Sequence, residues 1–194
     1  MSNKVIAPQR NARANILETA WRLVGERGVQ AVTVADIAAA SGVSRQLVYH
    51  HFESRAGLLV AMTRHHDAAS GFRKRLVATR DLEPVEGFEA GLRLWLGYVP
   101  EVLHVARALE AALIAGDEGG AAWRDRMGEL HAIFRAAVRR IELSPGWTTE
   151  TASDWIWARL QPSAYAHLVE ERAWTHDQFT EWSVESLMSE LTEP

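Results

Sequence analysis

The chain has 194 residues, of which 47% are hydrophobic and 24% charged, and a formal net charge of −4; this composition excludes a largely disordered chain. Cysteine is absent, which excludes disulfide scaffolds, thiolate zinc sites and cysteine nucleophiles. No apolar run approaches the roughly 18 residues of a membrane helix, and residues 1–9 lack the apolar segment of a secretory signal, so we expect a cytoplasmic protein without a membrane partner.

The charge is distributed unevenly along the chain. Residues 1–80 contain 12 Lys and Arg but only 5 Asp and Glu, a net charge of +7, whereas residues 81–194 have a net charge of −11. A basic module followed by an acidic body is typical of a protein that meets a polyanion through one part only. The alternative is uneven surface charge without a partner.

The sequence predicts an all-α fold of about nine helices, because Ala, Leu, Glu and Arg dominate and no strand-length alternation occurs. The first helix is expected from about Arg10 to Arg27, with Gly28 after its C-terminus. Other breaks are expected at glycine, proline and capping residues: Gly42, Ser54, Pro84, Pro100, residues 116–120, residues 144–146 and Thr175.

A short second helix is predicted to begin after Thr33, which forms a Thr-x-x-Asp capping box with Asp36. The segment Ser41-Gly42-Val43-Ser44 follows as a glycine turn, with Ser44 as the next N-cap. A third helix of about seven residues, Arg45 to His51, then turns Val48 inward. Two short helices joined by such a turn form a helix-turn-helix, and Ser54 caps a longer fourth helix.

The third helix has the side chains that DNA recognition requires. An isolated helix of this length is unstable in water, so its neighbours must hold it. Arg45 suits guanine, Gln46 suits adenine and Leu47 suits a thymine methyl group. Tyr49, His51 and Arg55 suit backbone phosphates, as does the positive end of the fourth helix. The alternative is an ordinary three-helix corner with a polar outer face.

The segment from Gly28 to Leu59 resembles the DNA-binding domain of TetR-family transcriptional regulators. The resemblance depends on the Thr before the Ile-Ala helix, the Gly-Val-Ser turn, the Tyr-His-His-Phe end of the third helix and a basic residue three positions later. Arg55 stands where this family usually has lysine. The strong similarity covers about Arg10 to Ala61.

The resemblance implies a homodimeric all-α regulator, usually a repressor, which a small molecule releases from a palindromic DNA operator. It implies phosphate contacts for Thr33, Ser44, Tyr49 and His51, and it suggests that the phosphate contact is kept at Arg55. Base-reading positions are implied at Arg45, Gln46, Leu47 and His50. The expected domains are a flexible arm at 1–9, a helix-turn-helix domain at 10–55, and a helical effector-binding and dimerisation domain at 56–194.

The remainder of the chain contains seven of the eight tryptophans, which suit a core, a dimer interface or an aromatic effector pocket. Pro162 is expected to kink a helix of about Thr149 to Arg172, and an opening beside the kink would suit a ligand. The pocket candidates are Met62, His66, Trp95, Tyr98, Arg107, Glu110, His131, Phe134, Trp157 and Tyr165. Arg107 and Glu110 could instead pair with each other, and His131 could be a core residue.

The last helix, about His176 to Leu191, has an apolar face wide enough to suggest a partner. A four-helix bundle made by the last two helices of two subunits is the economical arrangement. The interface candidates are Leu168, Phe179, Trp182, Leu187, Met188 and Leu191. The alternative is packing of this helix within the monomer.

Two other functions are weaker candidates. His65-His66-Asp67 contains a His-Asp pair of the kind that metal phosphohydrolases use, but such a site needs further ligands from other helices. An adaptor that has lost DNA recognition is disfavoured by the complete helix-turn-helix pattern. We therefore predict a regulator that is not an enzyme and has no catalytic residues, metal site or cofactor.

Overall fold

A computed structural model describes the backbone of residues 6–192 and the side chains of residues 12–192. Within residues 6–192 the chain is all-α. A 3₁₀ turn follows the fifth helix at Thr79–Asp81 and a π-helical segment follows the ninth at Ala166–Glu171. The helices are α1 (Ile6–Arg27), α2 (Val34–Ser41), α3 (Arg45–Phe52), α4 (Arg55–Ala69), α5 (Phe72–Ala78), α6 (Pro84–Ile114), α7 (Gly120–Val138), α8 (Thr149–Arg159), α9 (Pro162–Tyr165) and α10 (His176–Leu191).

The two prolines behave differently from the prediction. α6 continues through Pro100, because Leu96, Val99 and Leu103 on either side of it are buried and keep the apolar face continuous. The single kinked helix expected around Pro162 is instead two helices: α8 ends at Arg159, and Pro162 occupies the first turn of α9, where its missing N–H costs nothing.

The N-terminal arm predicted at residues 1–9 lies partly outside the described residues, which begin at residue 6. α1 begins at Ile6, four residues earlier than the sequence pattern indicates. The other end of α1 agrees with the prediction. Gly28 has φ 81°, and its N–H donates to the carbonyl of Val24 at 2.9 Å.

The chain divides into two compact units. Unit 1 runs to Ser70 and includes His104–Arg126, whereas unit 2 contains Gly71–Leu103 and the chain from Met127 onward. α6 and α7 therefore supply residues to both units. The division into domains at residues 10–55 and 56–194 remains a prediction from sequence.

Unit 1 has its core where α1 packs against α2 and α4. Between residues 16 and 24, one face of α1 is completely buried, and it meets apolar residues that lie on the two other helices. The buried set is Ile16, Leu17, Ala20 and Val24 from α1, Ile37 from α2, and Leu58, Leu59 and Met62 from α4. Met62, a pocket candidate, is thus a core residue of unit 1.

A cluster of aromatic rings also joins α1 to α4 within unit 1. The ring of His66 stacks on Trp21 with centroids 3.7 Å apart and planes 5° apart, and His104 meets Trp21 edge-on at 5.7 Å. Burial, and after it the nearby charges of His104, His65 and Arg126, together lower the pKa of His66 to about 4. His66 is therefore neutral at pH 7, and it packs in unit 1.

None of the helices within residues 6–192 combines the length and the apolar character needed to cross a membrane.

We predict that His66 makes the protein less stable as the pH falls. The unfolded chain binds a proton at residue 66 near the ordinary pKa of 6.5, whereas the folded chain binds it only near pH 4. The free energy of unfolding therefore falls as the pH drops from about 6.5 towards 4. His66→Phe keeps a ring against Trp21 and should reduce the loss of melting temperature between pH 7.5 and pH 5.

The matched control is His167→Gln, which changes an exposed histidine that pairs with Glu171 on the protein surface. It should leave the pH dependence as in the wild type. Equal pH slopes for wild type and His66→Phe would contradict the prediction.

Candidate nucleic-acid interface

The start of α2 has the capping box that the sequence predicts. The Thr33 hydroxyl accepts a hydrogen bond from the Asp36 amide at 3.2 Å, and the Asp36 carboxylate accepts one from the Thr33 amide at 2.9 Å. Hydrogen bonds from the Thr33 hydroxyl and amide hold the pKa of Asp36 below its ordinary value. Thr33 itself is exposed, so its hydroxyl lies at the surface at the positive end of α2.

The turn between α2 and α3 also follows the prediction. Gly42 has φ 70°, a left-handed conformation that costs glycine little, and the Val43 amide donates to the Ala38 carbonyl at 3.0 Å. Ser44 then caps α3 by accepting a hydrogen bond from the Leu47 amide at 3.1 Å. The direction of α3 is therefore fixed at its N-terminus by local chemistry.

α3 has one buried face and one exposed face. Val48 and Phe52 are 1% and 6% exposed, and the Arg13 guanidinium lies over the Phe52 ring at 5.2 Å. The exposed side chains are Arg45, Gln46, Tyr49 and His50, whereas Leu47 is half-buried. The helix therefore has an outward surface of cationic, amide and aromatic groups, as base and phosphate recognition requires.

The corner between α3 and α4 contains a feature that the sequence does not signal. Glu53 has φ 61°, a left-handed conformation that is unfavourable for a residue with a Cβ atom. A Cβ atom at Gly57 would collide with the Phe52 carbonyl, so the two helices meet closely there. Ser54 caps α4 by accepting from the Gly57 amide at 3.0 Å, as predicted.

Two of the predicted phosphate contacts have unexpected surroundings. The Nε2 atom of His51 is buried without a hydrogen-bond partner among residues 12–192, and burial, then His50 and Arg13, lower the pKa of His51. The Arg55 side chain is 17% exposed and forms ion pairs with Asp117 and Glu118. The phosphate contacts at both residues remain predictions, and each would need the side chain to leave its present position.

Thr33, Arg45 and Tyr49 line an open groove at the surface of unit 1, together with Arg55 and the loop residues Asp117 and Glu118. Asp117 and Glu118, which the sequence analysis missed, follow α6 and are distant in sequence from the helix-turn-helix. Nothing in the sequence distinguishes these two residues as part of the groove, because acidic residues are common throughout the second half of the chain. The groove thus combines the predicted DNA-contacting positions with two carboxylates.

A narrow cleft lies within unit 2. Its cavity volume is about 50 Å³ and its walls, formed by α5, α6 and α7, are mostly apolar. Two of the predicted pocket residues, Trp95 and Phe134, line it, and Phe72, Leu76, Phe88 and Leu92 are among its other apolar residues. We call this feature the α5–α7 cleft.

The other pocket candidates do not line the α5–α7 cleft. Met62, His66, Arg107 and Glu110 belong to unit 1. In unit 2, Tyr98 stacks on Phe72 at 4.5 Å, His131 bonds to Asp154 at 2.7 Å, Trp157 donates to the Met127 carbonyl at 3.0 Å, and Tyr165 packs edge-on against Phe179 at 5.3 Å. The four residues in unit 2 thus have packing or hydrogen-bonding partners that periodicity cannot reveal.

The predicted dimer residues separate into two groups. Phe179, Leu187 and Leu191 are at most 2% exposed within the single chain, so they are core residues of unit 2 and the prediction that they contact a partner is corrected. Trp182 is 57% exposed, and Leu168 and Met188 are half-buried. Only this second group has surface to offer a partner.

The residues of the His65-His66-Asp67 segment have structural partners within unit 1. The Asp67 carboxylate lies 2.9 Å from the Arg126 guanidinium, and His65 lies 3.5 Å from Glu18. Among residues 12–192 there is no group of three or more His, Asp or Glu placed to hold a metal ion.

Comparison with known proteins gives matches over the helix-turn-helix and over most of the chain. The family model described as "Bacterial regulatory proteins, tetR family" matches residues 16–62. The HTH-type transcriptional repressor LfrR of Mycolicibacterium smegmatis is 33% identical over 170 residues, which are 80% of this chain and 78% of that protein. The HTH-type transcriptional regulator BetI of Rhizobium meliloti is 40% identical over 52 residues, 27% of this chain.

The match to BetI spans 26% of that protein's length, so it concerns the helix-turn-helix region alone. Among solved structures, the SmeT–triclosan complex superposes with a TM-score of 0.71 at 17% identity, covering 94% of this chain and 92% of that chain. This likeness concerns the fold.

Proposed function

Because the chain belongs to the tetR family of bacterial regulatory proteins, we propose that it is a DNA-binding transcriptional repressor in the bacterial cytoplasm, which a small-molecule effector releases from a palindromic operator. The observation that carries this proposal is α3, capped by Ser44 and held by Val48 and Phe52, with Arg45, Gln46, Tyr49 and His50 directed outward. An adaptor protein without DNA recognition would not need this face.

The outward residues divide by the part of DNA that they suit. The Thr33 and Ser44 hydroxyls lie at the N-termini of α2 and α3, and the Tyr49 phenol lies on the exposed face of α3. In these positions all three groups suit phosphate oxygens. Arg45, Gln46 and His50 can reach base edges in the major groove, and Leu47 can contact a thymine methyl group. Phosphate contacts supply affinity, and base contacts supply sequence preference.

We predict that Arg45→Ala weakens binding to the operator and relaxes the sequence preference of the protein. Loss of a bidentate guanine contact costs about 1–3 kcal/mol and should remove preference at one base position in each half-site. The operator is first selected from a random duplex library with the wild-type protein. Affinities are then measured by fluorescence anisotropy, and the selection is repeated with the variant.

Arg139→Ala is the matched control, because Arg139 is an exposed arginine directly after α7 in unit 2. It should bind and select as the wild type does. An unchanged affinity and an unchanged selected sequence for Arg45→Ala would contradict the assignment of α3 as the recognition helix.

The α5–α7 cleft is the effector site in this proposal. Its cavity of about 50 Å³ is far below the roughly 300–1,000 Å³ of ordinary ligand pockets, so the helices must separate for a ligand to enter. If a ligand binds an open conformation better than the DNA-bound conformation, it shifts the protein population away from the DNA-bound state. The apolar wall favours an aromatic or aliphatic effector, and SmeT, of the same fold, has been solved with triclosan.

We predict that Gly91→Leu closes the cleft to effectors. Gly91 lines the cleft, and a Cβ atom there would meet Leu76 Cδ1 at 3.8 Å, so a leucine side chain would occupy the apolar space. Compounds from a panel of apolar metabolites and drugs that raise the melting temperature of the wild type should raise it less in this variant. A ligand at 100 times its Kd stabilises the wild type by about 2.7 kcal/mol.

The control is Gly97→Leu on the same helix, where an added Cβ atom meets nothing within 4 Å. It should keep the wild-type response to each compound. If Gly91→Leu binds every active compound as the wild type does, the effector site lies elsewhere.

The proposal includes a homodimer, because two recognition helices about 34–36 Å apart are needed to enter successive major grooves. The surface that supports it lies on α8 and α10. Trp155 and Trp182 are 42% and 57% exposed, and Glu190 joins the two helices by accepting from Trp155 and Arg159 at 2.7 Å each. Two such helix pairs can form a four-helix bundle.

We predict that Trp182→Glu converts the dimer into a monomer, because a charge would be buried where an aromatic ring contacts the partner. Sedimentation velocity should give twice the chain mass of 21.6 kDa for the wild type and the single mass for the variant. Ile114→Glu, at an apolar residue of unit 1 that is 82% exposed, is the control and should remain a dimer. A dimeric Trp182→Glu would place the interface on another surface.

A further inference from the structure

Arg55 is held by acceptors from two different parts of unit 1. Its Nη1 atom lies 3.1 Å from Asp117 Oδ1 and 3.2 Å from Glu118 Oε1. Its Nε and Nη2 atoms donate to the Val32 carbonyl at 3.4 and 3.3 Å, and Nη2 also donates to the Val29 carbonyl. We call these five residues the Arg55 clamp.

One side of the clamp is the turn that leads into α2. Val29 and Val32 are each 2% exposed, and the Val32 amide donates to the Val29 carbonyl at 3.3 Å. The next residue, Thr33, is the N-cap of α2 and a proposed phosphate contact. The Arg55 guanidinium therefore fixes the backbone immediately before a DNA-contacting side chain.

The other side of the clamp is the loop between α6 and α7. Asp117 Oδ1 also accepts from the Gly119 amide at 2.7 Å, and this hydrogen bond, together with Arg55, lowers the pKa of Asp117. Asp117 is therefore ionised at neutral pH. A Cβ atom at Gly119 would lie 2.6 Å from Val29 Cγ1, so the loop and the turn before α2 also touch directly.

We infer that Arg55 is a positioning residue for the DNA-binding surface and does not itself contact a phosphate, an inference that rests on the proposed function. All three guanidinium nitrogens already donate to acceptors within unit 1, and Asp117 and Glu118 line the same groove as Thr33 and Arg45. A phosphate approaching Arg55 would meet these two carboxylates. The clamp also explains why arginine suits this position, because the rigid fork of N–H donors on a guanidinium reaches acceptors that lie apart. A lysine ammonium is a compact point charge and cannot reach all of them.

The test compares Arg55→Lys, Arg55→Gln and Asp117→Ala on a random-sequence DNA duplex over a series of salt concentrations. Loss of charged hydrogen bonds in the clamp should weaken binding about tenfold in each variant. The slope of log K against log salt should stay at the wild-type value, because no phosphate contact is lost. Asp117→Ala separates positioning from simple charge repulsion by the sign of the change in affinity, because the removal of a negative charge near DNA would by itself strengthen binding.

Arg64→Gln is the matched control. Arg64 lies on the same helix and forms a two-point ion pair with Asp125 at 2.6 and 3.0 Å, so its loss removes a comparable contact away from the turn before α2. It should leave DNA affinity unchanged. All measurements are made below the melting temperature of each variant, with the folded fraction followed by circular dichroism, so that a loss of stability is separated from a loss of positioning.

Two results would overturn the inference. If Arg55→Lys binds as the wild type does while Arg55→Gln weakens binding and lowers the magnitude of the salt slope by about 0.9, Arg55 is a phosphate contact. If Asp117→Ala strengthens binding, the Asp117 carboxylate only repels DNA and does not help to position the DNA-binding surface. A wild-type protein that binds no duplex DNA at low salt would instead refute the proposed function, and this inference would fall with it.

Discussion

The burial of α1 against α2 and α4 is the interaction on which the candidate DNA-binding surface depends. α3 has only eight residues, and a helix of that length is unstable alone in water. It persists because Val48 and Phe52 enter the core that α1 and α4 build. The polar face of α3 can therefore be specialised for contact with DNA, since the opposite face supplies the stability.

Local polar contacts then set the direction of each short helix on that core. Thr33, Ser44 and Ser54 cap α2, α3 and α4, and each cap satisfies backbone amides that would otherwise lack partners. The Arg55 clamp adds a long-range contact to these local ones, because Arg55 joins the turn before α2 to Asp117, which lies 62 residues after Arg55 in the chain. An N-cap acts within one end of one helix, so it cannot set the distance between α2 and segments that are far away in the sequence.

The uneven charge of the chain agrees with the function proposed here. The family match lies at residues 16–62, inside the basic first 80 residues, whereas the acidic remainder provides most of unit 2 and its α5–α7 cleft. In the function proposed here, the basic part meets DNA and the apolar cleft responds to a ligand. The 33% identity to LfrR extends over both parts and covers 80% of this chain, so the similarity to that repressor is not confined to the helix-turn-helix.

The sequence by itself determined the all-α class, the helix-turn-helix and its caps, because these depend on residues three or four positions apart. The tertiary structure alone decided the partners of Arg55, the burial of Phe179, Leu187 and Leu191, and the separation of Trp95 and Phe134 from eight other pocket candidates. Helical periodicity shows which side chains share a face, but it cannot show what that face meets. Those contacts depend on which distant helices pack together, and only the folded chain contains that information.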